Sequence, residues 1–209
     1  MSANERSPIR VLVSDLGMVV LGFDFGRTLR YLKERKPDAN VAEVLADINT
    51  IQYGMGADLG RCSGSEFLEA ACAAHPWAGP SEDLARGWSD IFYEMPESLA
   101  LVQAARVERR ALLSNTNGPH WDWILRQYPQ VIGSFDIHVP SHVTGLAKPA
   151  PAVYRNVERL TGLPPEAHLM IDDIGENVEG ARRCGWDGVV FTSAAGLKRD
   201  LVERGLLEA

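Results

Sequence analysis

The run Ile9-Arg10-Val11-Leu12-Val13-Ser14 is rich in β-branched residues, shows no alternation of apolar and polar positions, and delivers one carboxylate, Asp15, ahead of Leu16-Gly17-Met18-Val19-Val20. A strand without alternation is buried on both faces, as in a parallel sheet covered by helices on each side. This makes the chain α/β. In open α/β sheets ligands collect at the carboxyl ends of the strands, where Asp15 stands, so Asp15 is a candidate nucleophile. From this stretch alone, the plainer reading is that Asp15 caps the following turn or helix.

At 209 residues and 45% hydrophobic content, the chain can bury one full core and has length left for a smaller inserted module. Its formal net charge of -7 leaves no basic footprint for nucleic acid or an anionic membrane. An anionic substrate would need local positive charge. No apolar run is long enough to span a bilayer, and the polar stretch Met1 to Pro8 lacks the hydrophobic region of a signal peptide, so the expectation is a cytoplasmic protein with no membrane partner. Cys62, Cys72 and Cys184 are odd in number and lack C-x-x-C spacing, which suggests neither a disulfide framework nor a zinc site; Cys184 reads as core packing.

From Gly22 to about Ala105 the periodicity is helical, and this segment is the candidate insertion. The spacing predicts a helix around Thr28 to Lys36, stopped by Pro37, and another over Val41 to Thr50, with Val41, Val44, Leu45 and Ile48 on one face. A glycine-rich loop follows between Tyr53 and Gly64. Ser63 and Glu66 form a capping-box pattern for a helix that His75-Pro76 ends, and a fourth helix fits Ser81 to Tyr93. Such a bundle could fold over a site as a cap.

After Ala104 short apolar strands alternate with helices, the signature of βαβ units. Ala111-Leu112-Leu113 ends in Ser114-Asn115-Thr116-Asn117-Gly118, and Phe135 to Val139 is a weaker strand ahead of Gly145 and Lys148. A helix from about Pro151 to Leu160 leads to Leu169-Met170-Ile171, which runs into Asp172-Asp173. The helix Glu176 to Cys184 stops at Gly185, Gly188 to Phe191 closes the sheet, and Gly196 to Leu207 forms a last short helix.

The strand ends therefore carry Asp15, Ser114 with Asn115, Lys148, and Asp172-Asp173, the groups that chemistry on a phosphate ester needs. A carboxylate could attack phosphorus and divide hydrolysis into two easier steps. Magnesium takes one or two carboxylates plus water and phosphate oxygens, and Asp15 and Asp173 would supply the carboxylates. Lys148 would add positive charge, and Ser114 with the Asn115 amide would donate hydrogen bonds to the phosphoryl oxygens. Singly, Lys148 reads as a solvated loop lysine and Ser114 to Gly118 as a turn. Two adjacent acids at the end of a buried strand are costly without a cation or donors beside them. Trp88, Trp121 and Trp123 read as packing groups, and His120 and His142 as surface or hydrogen-bonded histidines near the site.

Asp15-Leu16-Gly17-Met18-Val19-Val20, Leu113-Ser114-Asn115-Thr116-Asn117, Gly145-Leu146-Ala147-Lys148-Pro149 and Ile171-Asp172-Asp173-Ile174-Gly175-Glu176-Asn177 resemble, in order and spacing, the four motifs of the haloacid dehalogenase superfamily. The resemblance extends to its branch with a helical cap inserted between the first two motifs, and within it to bacterial sugar-1-phosphate phosphatases of the glucose-1-phosphate type and the phosphatase domain of soluble epoxide hydrolases. It implies a Rossmann-like core of residues 1–20 and 105–209 with an inserted helical cap of residues 21–104 that selects a small phosphate ester such as a sugar phosphate. It further implies Asp15 as nucleophile, Ser114 and Asn115 on the phosphoryl group, and Lys148 neutralising charge. Magnesium would sit on Asp15, Asp173 and the Gly17 carbonyl, with Gly17 also lining the substrate site, while Asp172 and Asn177 hold these groups in place. The Tyr53 to Gly60 loop is the expected substrate-contacting edge.

One departure stands out. Most phosphatases of the superfamily have a second aspartate two residues after the nucleophile, as acid and then base, where this chain has Gly17. General acid catalysis is worth roughly 10² to 10⁴ in rate. The glucose-1-phosphate type shares the variant, consistent with an anomeric leaving hydroxyl more acidic than an ordinary alcohol. Two alternatives remain open: a 2-haloacid dehalogenase-type hydrolase, which needs no metal and to which the Asp172-Asp173 pair is foreign, and a weakly active member that binds a phosphorylated ligand or a partner. Substrate and oligomeric state are not legible.

Overall fold

A computed structural model describes residues 9–208; the polar stretch at Met1 to Pro8 lies outside the described residues. The chain opens with β1 (Val11–Ser14) and β2 (Leu21–Phe23), followed by α1 (Gly26–Arg35), α2 (Val41–Met55), α3 (Gly64–Ala74) and α4 (Ser81–Ser89). Then come β3 (Phe92–Glu94), α5 (Pro96–Ala104), β4 (Arg109–Ser114), α6 (Gly118–Gln127), α7 (Pro129–Ile132), β5 (Ile137–Pro140) and α8 (Ser141–Thr144). The C-terminal part is α9 (Pro151–Thr161), β6 (His168–Asp172), α10 (Gly175–Arg183), β7 (Asp187–Val190) and α11 (Ala194–Glu203). No helix among the described residues is long and apolar enough to cross a membrane.

Five strands form one parallel sheet in the order β5-β4-β1-β6-β7, with β1 at its centre. The unalternating run follows from this position. Val11 and Val13 enter a core with Val153, Tyr154 and Val157 of α9, while Leu12 enters the opposite one with Ile124 of α6 and Leu197 of α11. All three β1 residues are fully buried. Because the chain runs outward from β1 first through β4 and β5, then returns to β6 and β7, the strand order reverses beside β1, where such sheets bind ligands.

A third core lies among α1 to α4, with Leu32, Val44, Ile48, Phe67, Leu84 and Trp88 at its centre. The capping box at α3 forms as expected: Ser63 Oγ accepts from the Glu66 N–H at 3.2 Å, and Glu66 Oε2 accepts from the Ser63 N–H at 2.7 Å. Three local expectations shift. Helix α2 continues to Met55 because Gly56, at φ +68°, supplies the left-handed stop, and the expected glycine-rich loop contains a 3-10 turn at Ala57–Leu59. Helix α4 ends at Ser89, because Phe92-Tyr93-Glu94 pairs antiparallel with Leu21-Gly22-Phe23 instead of continuing the helix. The weak fifth strand sits at Ile137–Pro140, two residues later at its start than Phe135, whose side chain is core.

Candidate active site

Asp15 leaves the carboxyl end of β1 held by its own N–H, which donates to the Ile171 carbonyl at 2.8 Å. The chain then turns sharply: the Val20 and Leu21 N–H groups both return to the Leu16 carbonyl, and Met18 takes a positive φ of 55°. This turn exposes Gly17 to a cavity of about 580 Å³, which Asp15, Ser114, Asn115, Lys148, Asp173 and Asn177 also line. Asp172 lies just behind, fully buried. The residues expected from the sequence are thus brought to one place.

Lys148 is the electrostatic centre. Its Nζ lies 2.8 Å from Asp15 Oδ1 and 2.7 Å from Asp172 Oδ2, with the side chain 1% exposed. Asp172 is further held by the Ile174 N–H at 2.9 Å and by Asn177 Nδ2 at 3.0 and 3.1 Å. Asn115 fixes the lysine from the backbone: its Nδ2 donates to the Lys148 carbonyl and its Oδ1 accepts from the Lys148 N–H, each at 2.9 Å. The Asn115 side chain is therefore spent on Lys148. Ser114 Oγ makes no hydrogen bond among the described residues and lines the cavity. Asn117 caps α6 by accepting from the His120 N–H at 3.0 Å, which sets the path of the Ser114 to Gly118 turn.

Asp15, Asp172 and Asp173 present carboxylate oxygens within 4.8 Å of one another. Burial, then repulsion from Asp172, push the Asp15 carboxyl up to about 6 against the pull of Lys148. Burial and Asp172 likewise raise Asp173. Burial works against the Lys148 ammonium too, but its contacts with Asp15 and Asp172 overcome it and hold the lysine above its ordinary value. One ammonium faces three acids and touches two of them. Ionised together they leave two uncompensated negative charges, and an all-oxygen set of this kind suits a hard dication such as magnesium.

His120 is hydrogen-bonded, as the sequence suggested, and neither it nor His142 is poised as an acid. His120 sits between the Trp88 carbonyl, 3.2 Å from Nε2, and Asn117 Nδ2, 3.2 Å from Nδ1. Nε2 must carry the proton to meet a carbonyl, so Nδ1 accepts, and burial pushes the ring down to about 4. Burial also lowers His142, whose Nδ1 is buried without a partner. Trp88 and Trp121 are core residues, Trp123 packs at the core's edge, and Trp88 additionally forms cavity wall, stacked on His120 at 5.6 Å.

Four contributors were not singled out from the sequence. Phe23 stands over Gly17, where a β-carbon would come 3.2 Å from its ring. Gln52 and Asp58 line the cavity from α2 and the 3-10 turn. Ser141 ties that turn to the Ser114 loop: its Oγ donates to the Asp58 carbonyl at 2.5 Å and accepts from the Thr116 N–H at 2.9 Å. Gln52 carried a signal, because it extends the Val44 and Ile48 stripe by four residues and is polar on an apolar face.

A sequence profile of haloacid dehalogenase-like hydrolases matches residues 66–185, more than half of the chain. Among solved structures, a HAD family enzyme of Bacteroides thetaiotaomicron in complex with magnesium and inorganic phosphate superposes with a TM-score of 0.74 at 22% identity, covering 88% of this chain and 94% of that one. A predicted HAD-like family hydrolase of Porphyromonas gingivalis gives 0.69 at 24% identity, covering 87% and 90%. L-2-haloacid dehalogenase of Xanthobacter autotrophicus with chloropropionic acid covalently bound gives 0.61 at 21% identity, covering 96% and 85%. Motif order, strand order and the profile match agree, and the chain belongs to the haloacid dehalogenase-like hydrolases.

Proposed function

We propose that this hydrolase is a magnesium-dependent phosphomonoesterase acting through an aspartyl-phosphate on Asp15. The observation that carries the reading is the acid cluster: Asp15 shares Lys148 with Asp172 and lies within 4.8 Å of Asp173 on a cavity wall. Asp172 holds Lys148 in either chemistry, but a carboxylate that attacks carbon has no use for a third acid, Asp173, beside it. A carboxylate that attacks a phosphate ester beside a dication does. Magnesium held by Asp15, Asp173 and the Gly17 carbonyl would bind a phosphoryl oxygen and offset the negative charge around it. The magnesium and phosphate in the Bacteroides thetaiotaomicron structure support this assignment.

In the first step Asp15 attacks phosphorus, the P–O bond to the alcohol breaks, and the alcohol oxygen leaves with the electron pair. Ser114 Oγ, free of other hydrogen bonds among the described residues, and the Asn115 backbone amide donate to the phosphoryl oxygens. Lys148 stays between Asp15 and Asp172, keeping the nucleophile ionised and aimed. Water then attacks the aspartyl-phosphate and releases phosphate and Asp15, so ester and water give alcohol and phosphate. With Gly17 in place of an acid and His120 held neutral, the leaving oxygen takes its proton from solvent, which favours esters whose alcohols leave readily, anomeric sugar phosphates among them. That preference supports a substrate like those of the sugar-1-phosphate phosphatases. Residues 21–104, with their own core among α1 to α4, act as the cap over this site.

Charge weighs against a haloacid substrate. Its carboxylate would find one cation on the cavity wall, Lys148, already engaged by Asp15 and Asp172. The test is phosphate release from a panel of phosphomonoesters with magnesium and with EDTA. Release that needs magnesium supports the reading; chloride release from 2-chloropropionate that survives EDTA, with no phosphate release, overturns it.

A further inference from the structure

The wall of the cavity contributed by α2 and the turn after it carries an acid with no cationic partner. Asp58 lines the cavity, and among the described residues its carboxylate is met only by Gln52, whose Nε2 donates to Oδ1 at 2.9 Å and Oδ2 at 3.0 Å. No ion pair includes Asp58 among the described residues. The orientation of Gln52 is fixed by this contact, since an amide oxygen turned toward a carboxylate would be repelled. Its Oε1 is consequently left buried with no donor, in a side chain only 5% exposed. A buried acceptor without a partner costs about 1–3 kcal/mol, which the bonds from Nε2 to the Asp58 carboxylate help to offset.

The pair is held in register with the phosphate site. Ser141 Oγ joins the Asp58 carbonyl to Thr116, two residues beyond Ser114. Gly60, at φ +64°, lets the turn dock on α8, where a β-carbon would lie 2.1 Å from the His142 carbonyl oxygen. Phe23, Phe25, Phe92 and Asn49 also line the wall, and none of them carries a charge. Among the described lining residues Lys148 is the one cation, and it is committed to the reacting end.

We propose that Asp58, aligned by Gln52, recognises a hydrogen-bond donor on the alcohol half of the substrate, so that the site takes phosphomonoesters whose alcohol is a neutral polyol or carries an ammonium group and rejects those with a second anion. The lone-pair positions that Gln52 leaves open on the Asp58 carboxylate accept; a carboxylate or second phosphate there meets a negative wall with no cation among the described lining residues to offset it. This inference rests on the phosphatase reading above and assigns the chemistry of the leaving half.

The test uses wild-type protein with magnesium and four esters: glucose 1-phosphate, glucosamine 1-phosphate, glucuronic acid 1-phosphate and p-nitrophenyl phosphate. The first three share an anomeric leaving oxygen and differ in charge; the last lacks a donor. We expect kcat/KM for the neutral and ammonium sugars to exceed that for the glucuronate by at least tenfold. In Asp58→Asn the ratio of glucosamine 1-phosphate to p-nitrophenyl phosphate falls about 10-fold, the scale of one hydrogen bond to a charged group. In Asp58→Lys the preference moves toward the glucuronate. If wild type hydrolyses the glucuronate as fast as the neutral sugar, the assignment fails and the phosphatase reading stands. If none of the four releases phosphate, both fall. The wild-type ranking decides the matter even if a variant does not fold.

Discussion

Gly17 lies against Phe23: a β-carbon at position 17 would stand 3.2 Å from Phe23 Cε1 and 3.7 Å from Cδ1. The place that most phosphatases of this family fill with a second aspartate is here covered by an aromatic ring from β2. The ring is 38% exposed, so it can move aside. In Gly17→Asp, Phe23 gives way and the new carboxylate supplies the missing acid. We expect the ratio of kcat/KM for a simple alkyl phosphate to that for p-nitrophenyl phosphate to rise at least 10-fold, the lower part of what general acid catalysis contributes. An unchanged ratio in a folded variant would show that the acid is not what limits poor leaving groups.

Lys148 neutralises two buried carboxylates at once, and replacing it leaves both without a counter-ion. Breaking a buried pair from one side costs about 3–5 kcal/mol. Lys148→Met is therefore expected to lower the unfolding free energy at pH 7 by this amount, and by less at pH 5, where Asp15 takes up a proton. Chemical denaturation of both proteins at the two pH values checks the size and the sign. An equal loss at both would mean that the lysine acts through packing.

Metal affinity should follow the protonation of the same carboxylate. Asp15 must be ionised to bind a cation, and burial with Asp172 places its carboxyl up at about 6. Calorimetric titration with magnesium is expected to show affinity falling as pH drops below about 6, and a loss of at least 10-fold in Asp173→Asn at pH 7.5. Unaltered affinity in that variant would remove Asp173 from the metal site.

His120 predicts a stability change at acid pH. Its folded-state value is down at about 4 through burial, below the ordinary 6.5, so between these values the unfolded chain binds more protons and stability falls as pH falls. The loss is at most about 3 kcal/mol, reduced by water reaching the ring from the cavity. Asp15 acts in the opposite direction, since its raised carboxyl favours the folded state below about 6. The difference between wild type and His120→Gln isolates the histidine. Melting curves from pH 7 to pH 4.5 should fall less steeply for the variant.

Much of this site was legible because its residues sit where a short apolar strand meets a turn. Val11-Leu12-Val13 gave the central strand through its lack of alternation, and Leu169-Met170-Ile171 placed Asp172 and Asp173 next to it. Asn115 was legible as a site residue, but its hydrogen bonds to the Lys148 backbone depend on two loops meeting, which no local pattern encodes. Phe23 and Tyr93 lie in three-residue strands that pair across most of the helical segment, so their periodicity is too short to read and the spacing extends the helix at Ser81 beyond its end. Gln52 was visible as a polar interruption in an apolar stripe, yet its meaning required Asp58 beside it. Ser141 had no sequence signal, since a serine after a proline is an ordinary helix start.

The most direct measurement on the central claim is a rapid acid quench during turnover of radiolabelled phosphate ester with magnesium, followed by peptide mass spectrometry. One acid-stable, hydroxylamine-labile phosphoryl group is expected on the peptide containing Asp15, absent in Asp15→Asn, which also loses phosphate release. Phosphate release by Asp15→Asn at the wild-type rate, with no label on the wild-type peptide, would contradict it.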